Sequence, residues 1–438
     1  MPRAGIPATG AGESFGMQKR MRLVLVAVMV MGGLLAAAPL DREIILVPLG
    51  GSKPEDLDIL RWQQRAAAPA SRPEDLEQLA WAFVTKARRS HEAAFYKLAE
   101  RAAELRQREF GPGDEAALVL GHVRHNLHHF RAAEEIARAL VARRGAPADL
   151  ALLSDALLEQ GKMAEGVAVL EQLAGARPGV EAASRIAQVR WIRGDLDGAL
   201  AALDAAWRAS HEKDVETRAW ILCRASGVHL EAGDIGRARA AAERADSLLA
   251  DYSPALLARG RALLAAGDAT AAAAVLTQAE QLQPLPEYQW WLAEALRMAG
   301  RLEDALAVEQ RLRERGPATD PRTVAHFLAV RGQDPTTALR LAHREAEARQ
   351  DAATRTVLAS CLAAAGDFDR AHVEIEAALT TAARDPRGRL QAALIALGQG
   401  QSAAASQHLS AIGPAAAALT PTERHQLEQA RTSAAANE

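Results

Sequence analysis

A glycine recurs at an almost constant interval along most of this chain. The eight glycines are separated by 33, 39, 34, 33, 32, 34 and 32 residues: Gly161, Gly194, Gly233, Gly267, Gly300, Gly332, Gly366 and Gly398. A period in this range is typical of stacked structural units, each of which buries its apolar face only against its neighbours. The pattern therefore predicts an array that grows by addition of units, without one closed core.

The unit from 253 to 283 shows why each repeat is expected to be a pair of helices. Ser253 and Pro254 suit the N-cap and first position of a helix. Gly267 is expected to end that helix, because glycine tolerates the left-handed conformation. Asp268 follows directly and can cap a second helix.

Small side chains also recur, seven residues before each glycine position. They are Gly121, Ser154, Ala187, Ser226, Gly260, Ala293, Ala325 and Ala359. A second small series opens the following helix: Ala133, Gly166, Ala199, Ala238, Ala272, Ala305 and Ala371. Two helices cross closely only where neither presents a bulky side chain, so these positions predict the crossing point of each pair.

In this pattern the chain resembles the tetratricopeptide repeat family, over roughly residues 74–412. His128 takes the glycine position in one unit, and Ala338 comes one place late in another. The last unit has Gln391 where a small residue is expected, and about five extra residues lie around 210–214. The resemblance implies an all-α fold, an α-solenoid of about nine helix pairs. The uncharged N-terminal stretch adds one hydrophobic helix before it.

The N-terminus has the features of a targeting signal. Residues 23–40 contain no charge and follow Lys19, Arg20 and Arg22. Their length approaches a membrane span, and the basic flank predicts that the downstream chain is exported. We expect an uncleaved transmembrane anchor at the inner membrane, with cleavage to a secreted or periplasmic protein as the alternative.

These features divide the chain into five segments: a basic N-terminal flank (1–22), the anchor or signal segment (23–40), a linker (41–73), the solenoid (74–412), and a C-terminal short helix and tail (413–438). In the last segment Thr420, Pro421 and Glu423 suit a capping box, with a helix expected to about Gln429.

Composition and motifs argue against several functional classes. The net charge is −3, without the basic stripe typical of nucleic-acid binding. The two cysteines, Cys223 and Cys361, are four repeats apart and are expected to be free thiols. No phosphate loop, HExxH motif or GxSxG elbow occurs. Because the segments outside the repeats are too short for a catalytic domain, we expect a non-enzyme without a cofactor.

The resemblance implies a concave groove lined by first helices. The residues at groove positions are His122, His125, Gln188, Trp191, Trp220, Arg261, Trp290, Glu294, Arg297 and His326. Tryptophan and arginine commonly anchor binding interfaces. For Trp290 the alternative is that it fills space between repeats, beside Tyr288 and Trp291.

Four histidines form the most distinct polar cluster, and His122, His125 and His129 share one helical stripe with the spacing i, i+3, i+7. Imidazoles so spaced can bind zinc, nickel or copper, or sense pH. No carboxylate or thiolate completes a ligand set nearby, and His128 and His129 fall in a turn, so an ordinary solvated turn is the competing interpretation.

The sequence thus predicts a membrane-anchored, exported scaffold that binds a protein or peptide in its groove. The alternatives are a periplasmic polysaccharide-binding solenoid and a metal- or pH-responsive module. Neither the partner nor the oligomeric state follows from the sequence.

Overall fold

The structure, a computed structural model, describes residues 37–90 and 92–436. Every regular element in these residues is a helix. The chain divides into a first unit that ends at Val123 and a second unit that begins at Arg124. Most of the expected hydrophobic segment 23–40 lies outside the described residues, and no helix within them has the length and apolar character needed to span a membrane.

The first unit contains helices α1 to α4 and most of α5. Their bounds are Ala37–Ile45 (α1), Pro54–Ala67 (α2), Pro73–Ser90 (α3), Ala93–Phe110 (α4) and Asp114–Asn126 (α5). Leu76, Leu79 and Phe83 of α3 are fully buried, as their helical spacing predicts.

Residues 41–73 were expected to be a linker, but they contain α2, which packs against α3. The side chain of Ile59 is fully buried. Gln63 donates from Nε2 to the carbonyl oxygens of Ile45 at 2.8 Å and Val47 at 2.7 Å. These bonds fix the segment before α2, so the Gly- and Pro-rich composition here marks turns between packed helices.

The second unit contains eighteen α-helices. They are Phe130–Arg143 (α6), Pro147–Glu159 (α7), Met163–Ala176 (α8), Val180–Ile192 (α9), Leu196–Ala209 (α10), Val215–Glu231 (α11), Ile235–Leu248 (α12), Ser253–Ala265 (α13), Ala269–Leu282 (α14), Pro286–Met298 (α15), Leu302–Arg315 (α16), Pro321–Val330 (α17), Pro335–Ala348 (α18), Ala352–Ala364 (α19), Phe368–Thr381 (α20), Pro386–Gly398 (α21), Ser402–Ile412 (α22) and Pro421–Ala436 (α23). From α7 to α22 they form eight consecutive antiparallel pairs. The extra residues predicted around 210–214 are divided between the loop from α10 to α11 and α11 itself, which has 17 residues where α9 has 13.

Each of these eight pairs turns on a glycine with positive φ, between +61° and +85°. Where aspartate follows the glycine, it caps the second helix as predicted; the Asp268 carboxylate, for example, accepts the Ala271 N–H at 3.0 Å. His128 at the equivalent place has a φ of 62°, a conformation that costs a non-glycine residue free energy.

The glycine of the last pair is Gly400, not Gly398 as the spacing suggested. Gly400 has a φ of +74°, whereas Gly398 is the last residue of α21. With Gly400 as reference, the small residue seven positions earlier is Ala393 and the one five positions later is Ala405, and both are fully buried. The last pair therefore keeps the repeat pattern that Gln391 seemed to break.

The small residues do lie where paired helices cross. A Cβ added to Gly260 would lie 2.5 Å from Cγ of Leu276 on the paired helix. The hydroxyl of Ser154 donates to the Gly166 carbonyl at 3.0 Å, and that of Ser226 to the Ala238 carbonyl at 2.8 Å. The serines thus satisfy their own polarity while allowing the helices to approach.

The second unit does not form the open array that the repeats suggested. The Gln350 N–H donates to the Glu159 carbonyl at 3.1 Å, and Arg384 donates to the Gly194 carbonyl at 3.4 Å. The latter pair is 190 residues apart in the chain, or roughly six repeats. The array therefore winds tightly enough that one superhelical turn contacts the next.

The C-terminal segment is also longer and better packed than predicted. A 3₁₀ helix at Gly413–Ala418 precedes α23, which extends to Ala436. The predicted capping box is present: the Thr420 N–H donates to Glu423 at 2.7 Å, and the Glu423 N–H to the Thr420 hydroxyl at 3.2 Å. Buried Leu427, together with two alanines of α23, continues the core of α21 and α22, which explains the added length.

Candidate functional site

A cavity of about 890 Å³ lies within the second unit. It is lined mainly by the first helices of the pairs, from α7 to α21. Its walls expose polar and apolar surface in about equal amounts and carry six arginines: Arg185, Arg224, Arg261, Arg322, Arg355 and Arg387. The stacking of repeats thus forms a partly open cavity lined with charged side chains.

Six of the ten predicted groove residues line this cavity: His125, Gln188, Trp191, Arg261, Trp290 and His326. The other four do not. His122 packs edge-on against Trp81 in the first unit, with ring centroids 5.1 Å apart. Trp220 is half-buried beside the α9–α11 core, and Arg297 forms a bidentate pair with Glu309 at 2.8 and 2.9 Å.

Glu294 is the fourth predicted groove residue outside the cavity, and its carboxylate is hydrogen-bonded by other residues of the chain. The Thr422 N–H donates to its carboxylate at 3.1 Å, and the hydroxyl of Thr422 lies 2.9 Å from Oε2. Arg331 is 3.1 Å away and Trp290 donates from Nε1 at 3.0 Å. The start of α23 therefore occupies part of the concave surface that a partner was expected to contact.

Trp290 fills space, as the alternative interpretation proposed. It is 3% exposed and packs edge-on against His326 and Phe327, with centroids 5.1 and 5.9 Å apart. Burial lowers the pKa of His326 to about 4, although Glu423 opposes the shift from 3.7 Å. His326 is therefore neutral at neutral pH and part of the packed wall.

Four of the cavity arginines are neutralised by carboxylates. Arg185 bonds Asp155 at 2.6 Å and Arg355 bonds Glu374 at 2.7 Å. Arg387 lies 3.1 Å from Glu423. The fourth pair is Arg322 with Asp351, at 3.4 Å.

Arg224 and Arg261 have no such partner. Arg224 hydrogen-bonds the Gln188 amide oxygen, and its guanidinium lies 4.4 Å from the ring centroid of Trp191. Burial and the neighbouring Arg261 lower the pKa of Arg224 to about 10. Arg261 lies over Trp291 at 5.0 Å, and its buried Nε has no hydrogen-bond partner.

Glu231, at the end of α11, is a carboxylate of the cavity whose pKa is strongly shifted. Burial, and then repulsion from Asp385, raise its pKa to about 7, while a hydrogen bond from Trp191 opposes the shift. Sequence analysis missed Arg224 because it lies outside the groove positions of the resembled family. Glu231 was also missed, although it lies two residues before Gly233, at one of those groove positions.

The four histidines of the predicted cluster do not come together at one site. His125 packs edge-on against Phe130 at 5.2 Å, whereas His129 is exposed at the start of α6. Burial lowers the pKa of His128 to about 4. Within residues 37–90 and 92–436, no three histidine, cysteine, aspartate or glutamate side chains are grouped to hold a metal ion. Cys223 and Cys361 are free.

Comparison with known proteins supports the repeat class. The family model of the tetratricopeptide repeat matches residues 151–211 and 257–319. The matched stretches lie over α7–α10 and α13–α16, and the glycine-turned helix pairs around them follow the same pattern. No curated protein matches the sequence significantly.

Among solved structures the chain is similar to the human IFIT1 dimer with PPP-AAAA. The identity is 15% and the TM-score 0.37, over 65% of this chain and 71% of that one. A chain of the APC/C hetero-tetramer Cut9–Hcn1 has 14% identity and a TM-score of 0.33, over 90% of this chain and 99% of that one. A tetratricopeptide repeat protein from Parabacteroides merdae has 13% identity and a TM-score of 0.38, over 64% of this chain and 98% of that one.

Proposed function

We propose that this protein is a non-enzymatic interaction scaffold whose second unit receives a segment of a protein partner in this cavity. Tetratricopeptide repeats generally serve as protein-binding scaffolds, and one observation supports the cavity as the site. Six residues that were expected to face a partner surround a single space of about 890 Å³. Such a volume suits a short extended segment or a chain end better than a folded domain.

Polysaccharide binding, the main alternative, is less well supported by the tryptophans. Sugars stack on exposed aromatic faces, but Trp290 and Trp291 are 3% and 2% exposed. The guanidinium of Arg224 covers Trp191 at 4.4 Å. The aromatic rings of the cavity are thus already engaged by the chain.

Site-specific photo-crosslinking tests the location. A photoreactive amino acid at Thr381, which lines the cavity, should crosslink one partner in cells. The same residue at Arg208, exposed on α10, is the control and should not capture that partner. Crosslinking from position 208 alone would place the partner on the outer surface and refute the cavity as its site.

We also propose that residues 23–40 export the chain and hold it at the inner membrane, with the repeats on the outer side. The support is the uncharged stretch and the three basic residues before it. A reporter fused after Glu438 should be active only outside the cytoplasm, and cytoplasmic activity would refute this topology. Signal cleavage would give the same reporter result but a shorter, membrane-free chain on immunoblotting.

A further inference from the structure

Two arginines in the cavity differ from the other four in how their charge is balanced. Arg185, Arg322, Arg355 and Arg387 each have a carboxylate between 2.6 and 3.4 Å. Within the described part of the chain, Arg224 and Arg261 have no carboxylate oxygen within 4.0 Å. They lie on neighbouring first helices, α11 and α13, and each repels the other.

Such an arrangement is costly for a folded protein. A guanidinium withdrawn from water loses solvation that only an ion pair or hydrogen bonds can replace. The chain supplies a partial substitute, because Arg224 stacks on Trp191 and Arg261 on Trp291. Yet Nε of Arg261 is buried without an acceptor, so a hydrogen-bonding group is still missing from this corner of the cavity.

The nearby carboxylates do not supply that group. Glu231 and Glu287 line the same cavity and attract both guanidiniums, but neither lies within ion-pair distance of them. Glu231 also carries only part of its charge near neutral pH. Asp385 is engaged as the N-cap of α21, accepting the Gly388 N–H at 2.9 Å.

We infer that Arg224 and Arg261 form an oxyanion-binding site in the cavity, which takes a carboxylate or phosphate group of the molecule that enters. The planar guanidinium fork matches these oxyanions, which can accept two parallel hydrogen bonds from one arginine. Gln188 accepts a hydrogen bond from Arg224, and Trp191 and Trp291 lie against the two guanidinium groups. This inference names the chemistry of the group received and rests in part on the proposed function.

Direct titration of the purified protein tests the site. Citrate, inorganic phosphate and a hexaglutamate peptide are titrated at constant ionic strength, with chloride as the reference anion, by calorimetry and by Trp191-dependent fluorescence. We expect saturable binding of at least one probe. Binding of citrate or phosphate alone would indicate a small free oxyanion, and binding of hexaglutamate alone an acidic segment. If no probe binds saturably, the inference is wrong.

Substitutions then assign the site to the two arginines. Arg224→Gln and Arg261→Gln should each weaken binding at least tenfold. Arg259→Gln is the matched control on the same helix, because Arg259 bonds Asp246 at 2.9 Å; it should bind as the wild type does. Unchanged binding by both cavity variants would overturn the assignment.

A variant that adds a carboxylate separates loss of the binding site from loss of the fold. Gln188→Glu places a carboxylate against Arg224 and should fill the site from within. It should raise the melting temperature while weakening probe binding at least tenfold. A variant that melts higher but binds equally well would exclude Arg224 as a ligand. Oxyanion binding without any crosslink at position 381 would leave this site standing while refuting the protein partner.

Discussion

The glycine turns of α7–α8, α9–α10 and α11–α12 differ from the five that follow, although all eight have the same backbone conformation. A Cβ added to Gly161 would lie 2.5 Å from the Gln350 carbonyl oxygen, and one added to Gly233 would lie 2.6 Å from Cβ of Pro414. Around Gly267 or Gly300, nothing lies within 4 Å. The same repeated residue therefore has one role in the later turns and two in the earlier ones.

The second role is to allow close approach of the next superhelical turn. Glycine in the later turns only relieves the strain of positive φ. In the earlier turns it also leaves room for residues about 190 positions further along the chain. Experiments that separate these two roles would test whether successive superhelical turns of the second unit are in contact in solution.

The largest loss of stability is expected for Gly161→Ala. Its new methyl group would overlap a backbone oxygen that cannot rotate away, in addition to the strain of positive φ. We expect the free energy of unfolding to fall by about 2–4 kcal/mol in urea titration. A loss equal to that of Gly267→Ala would mean that the two superhelical turns do not touch.

A smaller effect, dependent on pH, is expected for Glu231→Gln beside the Gly233 turn. Glu231 has its pKa raised from 4.5 to about 7, so the folded protein holds a proton that the unfolded chain releases. Stability is therefore lost as pH rises from about 4.5 to about 7. The free energy of unfolding of the variant should exceed that of the wild type by up to about 3 kcal/mol at pH 8 and equal it at pH 4.

Parallel pH dependences for this variant and the wild type would contradict that expectation. Asp385 helps to raise the pKa of Glu231, whereas Arg261 and Arg387 lower it. If the contact between superhelical turns opened in solution, Asp385 would move away and the difference at pH 8 would shrink.

Thr422→Val tests the contact between α23 and the concave surface. It removes the hydroxyl that lies 2.9 Å from the buried carboxylate of Glu294 and accepts from Arg331 at 2.7 Å. We expect a loss of about 1–2 kcal/mol by thermal or urea unfolding. The matched control is Thr432→Val on the exposed side of the same helix, which should be nearly neutral.

The smallest effect is expected for Gly267→Ala, in a turn that nothing contacts. Only the positive φ of +85° opposes the substitution, so the loss should be about 1 kcal/mol. Gly267→Asn should cost less, because asparagine tolerates the left-handed region better. A loss above that of Gly161→Ala would reverse the comparison.

Much of the fold was predictable because its signals are local. The helix ends at Gly267 and Asp268, and the crossing point at Gly260, follow from backbone conformation and side-chain size within one unit. The prediction was wrong where two glycines compete, since only the backbone shows that Gly400 and not Gly398 adopts positive φ. It was also wrong for α2, whose stability comes from packing against α3.

The candidate site was predictable only in part. The groove positions of the resembled family correctly predicted Trp191 and Arg261, because the repeat fixes which side of a first helix faces inward. Arg224 was missed, and Glu294 was assigned to a partner although α23 binds it. Both errors concern contacts between residues far apart in the chain, which repeat spacing does not encode.

By itself the sequence determined the helix pairs, their turns and their crossings, since each depends on a few neighbouring residues and a fixed period. Only the tertiary structure decided how far each pair rotates on the next. That small rotation, summed over roughly six repeats, brings Gly194 against Arg384 and encloses the cavity. It also leaves Arg224 and Arg261 as the two cavity arginines that the described chain does not neutralise.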